Sequence, residues 1–253
     1  MEDQTQKEFT RQAKQMAAAA AFQARPVLEW LVGAAGSSAS DRVLDLACGP
    51  GIVAEAIAPH VRQLVGIDVT PEMTRLARER LEKAHLTNGR FGVASAEALP
   101  FEGKEFDQII TRLSFHHFPD VRAVLSEIRR VLRPRGRLII ADVVSSEESE
   151  ESTLHNSLEQ LRDPTHVRMI TPGELRQFVR LAGFDLLREE RWQQPRSFTE
   201  WAEIIADPAR TEPLRNIMRA LARAGQGVGI SLREESGELL FTHSWMLLLA
   251  ETD

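Results

Sequence analysis

"VLDLACGPGIVA", residues 43–54, is the stretch whose reading decides the fold. Its first half is a short apolar run, Gly49 and Gly51 punctuate a tight turn, and the apolar residues then resume at helical period. Glycine lets a backbone approach a ligand closely, and the N-terminus of the following helix offers N–H groups without intrahelical partners. By spacing, Gly49-x-Gly51-x-x-Ala54 fits a dinucleotide fingerprint, with Asp68 ~20 residues on to take a ribose diol. A packing turn in any doubly wound fold would look the same. Asp45 discriminates between ligands. A carboxylate inside the strand end is poor company for a pyrophosphate and good company for an ammonium or sulfonium group.

Outward from this turn the chain alternates regularly. "RQLVGID" reads as a second buried strand, and "TPEMTRLARERLEKAHL" as a helix with Thr70 as N-cap and Pro71 in its first turn. "GRFGVAS", "FDQIITR" and "GRLIIADVV" are further strands, and Val121, Val124, Leu125, Ile128, Val131 and Leu132 form one helical face before Arg133-Pro134. Near-continuous apolar strands alternating with helices predict an α/β, doubly wound, Rossmann-like and mostly parallel sheet of seven strands. Residues 1–40 are expected to form an N-terminal helical lid, with Phe9, Ala13, Met16, Phe22 and Leu28 apolar and Pro26 allowing a second helix start. Residues 41–253 are expected to be the main α/β domain, with cap segments at about 145–170 and 195–237. Within it, "SSEESEES" (145–152) reads as a solvated acidic link. "TPGELRQFVRLAGF" has a capping box of Thr171 and Glu174 and a stop at Gly183, and "FDLLREERW" and "LLFTHSWMLLLA" are the last strands.

Composition bounds the function. Among 253 residues, 43% are hydrophobic and 27% charged, as in an ordinary soluble globular protein. A net charge of −6 without a long basic run argues against a nucleic-acid partner. No apolar run reaches the ~20 residues of a membrane span, and the opening residues lack a secretory pattern, so a cytoplasmic protein is expected. The single cysteine, Cys48, excludes an intrachain disulfide and a multi-cysteine metal site; a small buried residue is the expectation there, not a nucleophile.

"DLACGPG", "GIDVTPEM", "SAEALPF", "HHFPD" and "VLRPRGRL" occur in an order and spacing that resemble the class I S-adenosylmethionine-dependent methyltransferases. The likeness is to the small-molecule group that includes the ubiquinone and menaquinone C-methyltransferases, and it is strongest over residues 41–145. The resemblance implies S-adenosyl-L-methionine as cofactor, with Asp45, Ala47, Cys48, Gly49 and Gly51 at its methionine end. It implies Asp68 on the ribose, Val69 and Met73 along the adenine, and backbone contacts from Arg112 and Leu113. Where the family usually reads the adenine amino group with an aspartate, this chain has Ser95. Either its shorter hydroxyl suffices there or Glu97 or a water substitutes for it, and Ala96 serves through its N–H.

The resemblance also places His117 on the cofactor side and His116 nearer the acceptor, although both are equally consistent with packing or capping near Pro119-Asp120. "LRDPTHVRMI" (161–170) would fall on the rim of the acceptor pocket. There His166, with an ordinary pKa near ~6.5, suits a general base, and Arg162 and Arg168 suit an anionic acceptor. The bland alternative makes Asp163-Pro164 the start of a helix, with His166 in its first turn and the arginines in solvent. No dense ligand cluster points to a metal. The expected activity is methyl transfer to O or C of a small organic acceptor: a phenol, quinol, enol or carboxylate-bearing metabolite. N-methylation, a non-catalytic nucleoside-binding partner protein and, more distantly, a nicotinamide oxidoreductase are the competitors. Oligomeric state is left open, a homodimer included.

Overall fold

In the computed structural model of the chain, which describes residues 2–19 and 25–253, two helices precede the sheet, α1 (Glu2–Ala18) and α2 (Arg25–Ala35). Phe22, expected to be part of an N-terminal helix, lies outside the described residues. The alternation read from the sequence then follows as β1 (Arg42–Leu46), α3 (Ile52–Ile57), β2 (Gln63–Asp68), α4 (Pro71–Lys83), β3 (Gly89–Val93), β4 (Phe106–Arg112), α5 (Val121–Val131) and β5 (Leu132–Val144). Beyond it come α6 (Ser149–Arg162), α7 (Pro172–Leu181), β6 (Phe184–Ser197), α8 (Phe198–Ile205), α9 (Pro208–Arg223), β7 (Arg233–Glu235) and β8 (Glu238–Thr252).

The strands lie in the order β3-β2-β1-β4-β5-β8-β6, with β7 paired to the start of β8. β1 to β5 run parallel, and β8 inserts antiparallel between β5 and β6. The three-residue β7 is an addition to the seven strands expected; it forms a hairpin with β8, Glu235 facing Glu238. Successive strand residues feed opposite cores: Leu44, Ile109 and Ile140 pack with α5 and α7, while Val43, Ile110 and Ile139 pack with α2 and α3. Both faces are therefore dry, as the apolar runs require. A third cluster, with Trp201, Leu214, Phe241 and Ile230, joins α6, α8 and α9 over the far end of β8.

Local chemistry accounts for most element ends. Asp120 accepts from the N–H groups of Arg122 and Ala123 to start α5. Thr171 and Glu174 close the reciprocal capping box of α7, and Gly183, at φ 82°, ends that helix. Two expectations fail. The acidic link is shorter than expected, because α6 begins at Ser149 inside it. Asp163 does not start a helix: it stands at the C-terminus of α6, and its carboxylate accepts from the backbone N–H (2.9 Å) and hydroxyl (2.7 Å) of Thr165. The chain from Pro164 to Ile170 is a loop, held by the N–H groups of Val167 and Arg168 on the carbonyl of His116 (2.9 and 3.1 Å).

The two turn glycines differ in kind. A Cβ on Gly49 (φ 49°) would meet nothing within 4 Å, whereas one on Gly51 (φ 80°) would lie 2.8 Å from Cα and Cβ of Ala77 in α4. Gly49→Ala should cost only the strain of a left-handed alanine, ~1–2 kcal/mol. Gly51→Ala adds an overpacking cost of ~1–3 kcal/mol. Denaturant unfolding of the two variants should therefore show Gly51→Ala clearly the less stable; equal midpoints would refute the packing role.

Candidate active site

The parallel strands end in a crevice where the chain order reverses, between β1 and β4. A cavity of about 480 Å³ opens there, bounded by the ends of β1, β2 and β4 and covered by Gln4, Thr5, Phe9 and Met16 of α1. Its volume falls within the range of small-molecule sites. α1 is held in place at several points: Gln6 donates to the carbonyl of Val69 (3.0 Å), Arg11 to that of Ile205 (2.8 Å), and the Phe9 ring meets His117 edge-on at 5.0 Å.

Asp45, Ala47, Cys48, Gly49, Asp68, Val69, Met73, Ser95, Ala96, Arg112, Leu113 and His117 all line this cavity, together with Glu97. Gly51 does not: it is buried against α4 and serves packing. Asp68 organises the turn by accepting from the N–H of Gly49 (2.9 Å) and of Thr70 (2.9 Å). Burial nonetheless raises its pKa above the ordinary carboxylate value. Asp45 is only 2% exposed, and its Oδ2 has no hydrogen-bond partner among the described residues. Burial, reinforced by Asp68, pushes the Asp45 carboxyl up to about 8, with Arg112 pulling the other way. Burial also drives the Cys48 thiol well above its usual range, which removes thiolate chemistry. Ser95 accepts from the N–H of Glu97 (3.2 Å), so those two residues sit side by side on the wall. Ala47 and Leu113, both at positive φ (56° and 55°), give the exits of β1 and β4 left-handed bends, a strain of ~1–3 kcal/mol each that is typical of functional sites.

A smaller chamber of about 80 Å³ adjoins the first and shares Met16, Leu113, His117 and His166 with it. His116 lies on this chamber and not on the larger cavity. Its Nδ1 meets Oδ1 of buried Asp142 at 2.6 Å, and Asp142 also accepts from the N–H groups of Ser114, Phe115 and Val143. Burial opposes charge on His116, but the Asp142 carboxylate outweighs it and raises the imidazole pKa. The same pairing lowers Asp142 despite its own burial.

His166 borders both spaces. Its Nε2 donates to Oδ1 of Asn156 (2.9 Å), an oxygen identified by its second donor, the N–H of Met169 (2.7 Å). Nδ1 of His166 therefore carries the lone pair. Burial pushes this imidazole down to about 3, which corrects the expectation of an ordinary value: His166 stays neutral at any working pH. His117 donates to the carbonyl of Thr165 (3.0 Å) and is likewise pushed down to about 4 by burial and by His116.

The two arginines expected to hold an anion are otherwise engaged. Arg168 is exposed and pairs with Glu174 (2.7 Å), away from both spaces. Arg162 borders the smaller chamber but is bound through Nε and a terminal nitrogen to Glu159 (3.1 and 2.9 Å). Sequence reasoning missed several neighbours. Asp142 left a legible signal, a single charge in an apolar strand. His155 and Glu159 share a helix face by their spacing, but nothing local brings His243 to them. One ligand atom from each of those three lies within 4.8 Å of the others, a grouping the sequence did not suggest.

A strand–glycine turn–helix at the switch point, an acidic residue at or next to the end of each of the first two strands and an antiparallel strand inserted between β5 and β6 define the class I methyltransferase architecture. A methyltransferase-domain family model matches residues 44–140. The uncharacterized methyltransferase YcgJ of Bacillus subtilis (strain 168) is 34% identical over 174 residues, covering 69% of each chain. Its crystal structure superposes with a TM-score of 0.83 at 29% identity, over 89% of this chain and 97% of that one. A demethylmenaquinone methyltransferase of Thermotoga maritima is 40% identical over 107 residues (41% of this chain, 44% of the relative). The O-methyltransferase cnsE of Penicillium expansum is 30% identical over 149 residues (58% and 53%). The chain belongs to the class I S-adenosylmethionine-dependent methyltransferases. No helix among the described residues is long and apolar enough to cross a membrane.

The His116–Asp142 pair has a definite pH signature. His116 is raised above its ordinary 6.5, so its contribution to stability is complete below that value and lost as pH rises through its folded pKa. Asp142 is lowered below 3.8, so its contribution is complete above that value and lost as pH falls through its folded pKa. Asp142→Asn should lower stability by ~1.5–3 kcal/mol near pH 6 and bring the His116 titration, followed by NMR, below that of free histidine. An unshifted His116 would refute the pairing.

Proposed function

We propose that this chain transfers a methyl group from S-adenosyl-L-methionine to oxygen or carbon of a small organic acceptor. The observation that carries the proposal is Asp45: a buried carboxylate with an unpartnered oxygen, set beside the glycine turn on a cavity of suitable size. An acid kept largely protonated in the free protein becomes a strong partner for a cation that enters the cavity. The Ala47–Gly49 backbone and Asp68 would hold the remainder of the amino-acid and ribose portions, with Val69, Met73, Ser95 and Ala96 along the adenine. When bound, the cofactor supplies an electrophilic methyl group on sulfur.

The chain's own residues then position the acceptor and manage its proton. α1 serves as the lid that excludes water, tied down through Gln6 and Arg11. His166, neutral and oriented by Asn156, presents Nδ1 as a hydrogen-bond acceptor to an acceptor hydroxyl. His116, with Asp142 behind it, holds the proton that a phenol or enol releases, since its conjugate acid is stabilised in place. The ring centroids of His116 and His166 are 5.5 Å apart, a spacing that supports the two acting along one edge of an acceptor. A demethylmenaquinone methyltransferase and an O-methyltransferase among the relatives support a small organic acceptor.

Thermal shift measurements should show stabilisation by S-adenosylmethionine and S-adenosylhomocysteine and none by NAD; stabilisation by NAD alone would sink the proposal. Because Asp45 must ionise to meet the cation, affinity for S-adenosylmethionine should rise about tenfold per pH unit and level off above about 8. Asp45→Asn should bind weakly with no such slope. Turnover should rise with pH through the elevated His116 pKa, and His116→Gln should lose that limb and ~10²–10⁴ in kcat. His166→Ala should reduce kcat by ~10² through misorientation while leaving cofactor affinity intact. Unchanged turnover would leave His166 as only a link between α6 and its loop.

A further inference from the structure

Three residues that line the smaller chamber carry buried N–H groups with no partner among the described residues. Arg196, one residue before the end of β6, lines the chamber, and its buried Nε has no hydrogen-bond partner among the described residues. Trp201 on α8 and Trp245 on β8 also line the chamber, and their buried indole Nε1 atoms have no acceptor among the described residues; the two residues are only 3% and 6% exposed. Among the described residues, the three lining residues whose fully buried side-chain polar atoms lack a partner thus all offer donors. Buried donors are rarely left unsatisfied, and a set of them around one space calls for an oxygen ligand.

Charge leads to the same conclusion. Glu159 and Asp163 are acids of this wall, but Arg162 occupies one oxygen of Glu159 and Nε2 of His243 the other, at 3.1 Å, and Asp163 accepts from the N–H and hydroxyl of Thr165. That engagement also disfavours a dication at His155, Glu159 and His243, since Arg162 and Arg196 stand beside the site. Arg196 is left with its Nε unpartnered among the described residues, the carboxylates of Glu200 and Glu159 acting on it only at longer range. A guanidinium is suited to the planar, forked geometry of a carboxylate. The chamber, about 80 Å³, has room for two or three waters at ~30 Å³ each, or for a carboxylate with its attached carbons.

We propose that the smaller chamber is a carboxylate-binding subsite for the methyl acceptor, with Arg196 as its charged anchor and the Trp201 and Trp245 indoles as flanking donors. The inference rests on the methyltransferase reading of the larger cavity, towards which the remainder of the acceptor would extend past His166. It moves the anion-binding role from Arg162 and Arg168, which are paired with acids, to a residue remote from both in sequence.

The test uses the full chain, with acetate, benzoate, benzamide and inorganic phosphate as probes at constant ionic strength, read by thermal shift with and without S-adenosylhomocysteine. Benzoate and acetate should stabilise the wild type, and neutral benzamide should not. Arg196→Gln should weaken benzoate binding at least tenfold while S-adenosylhomocysteine binds as before, and Arg196→Lys, which keeps the charge, should fall between. No carboxylate response in the wild type, an equal response in Arg196→Gln, or a response to phosphate alone would overturn the proposal. Failure of S-adenosylhomocysteine to bind would instead overturn the methyltransferase reading, with the benzoate comparison still interpretable in the chain alone.

Discussion

The carboxylate of Asp68 holds together the part of the molecule on which the rest depends. One oxygen takes the N–H of Gly49 and the other that of Thr70, so the turn after β1 and the start of α4 are set by a single side chain at the end of β2. Charge-assisted hydrogen bonds of this kind are about twice as strong as neutral ones and geometrically demanding. They fix the mouth of the larger cavity while leaving the neighbouring carboxylate, Asp45, without a full set of partners. The two acids at adjacent strand ends thus divide the work, Asp68 holding the frame and Asp45 kept available. A loss of ligand binding on removing Asp68 would accordingly report on the frame as much as on any ribose contact.

Burial is the second organising force. It moves the titrating groups of the site in opposite directions according to their partners. Asp45, without a full set, is pushed up; His117 and His166, without acids in hydrogen-bond contact, are pushed down; His116, with Asp142, is raised. Three histidines within one cluster therefore have distinct chemistry. The fold produces this by the order of its strands: β5 carries Asp142 next to the exit of β4, where His116 follows.

The parallel core, its glycine turn and the capping box of α7 were legible because each is a short-range pattern: apolar runs, glycines at fixed spacing, Thr-Pro-x-Glu. The loop 164–170 was misread for a related reason. Asp163-Pro164 has the local chemistry of a helix start, yet the side chain of Asp163 instead closes a turn on Thr165, and the backbone beyond it bonds to His116. Tertiary contact overrode local preference there. Arg168 was misassigned with it, since an exposed pairing with Glu174 needs the start of α7 to be next to the loop.

The sequence by itself determined the fold class, the position of the crevice and most of the residues that border it on the strand ends, because strand periodicity and the switch-point topology bring those residues to one edge; Gly51 and the covering residues of α1 were decided by packing. Only the tertiary structure decided which polar groups there are free to act. Arg162 and Arg196 look alike in sequence, but Glu159 meets only the first. Protonation, tautomer and pairing depend on burial and on neighbours from β5, α6, α8 and β8, and those distances do not exist until the chain has closed.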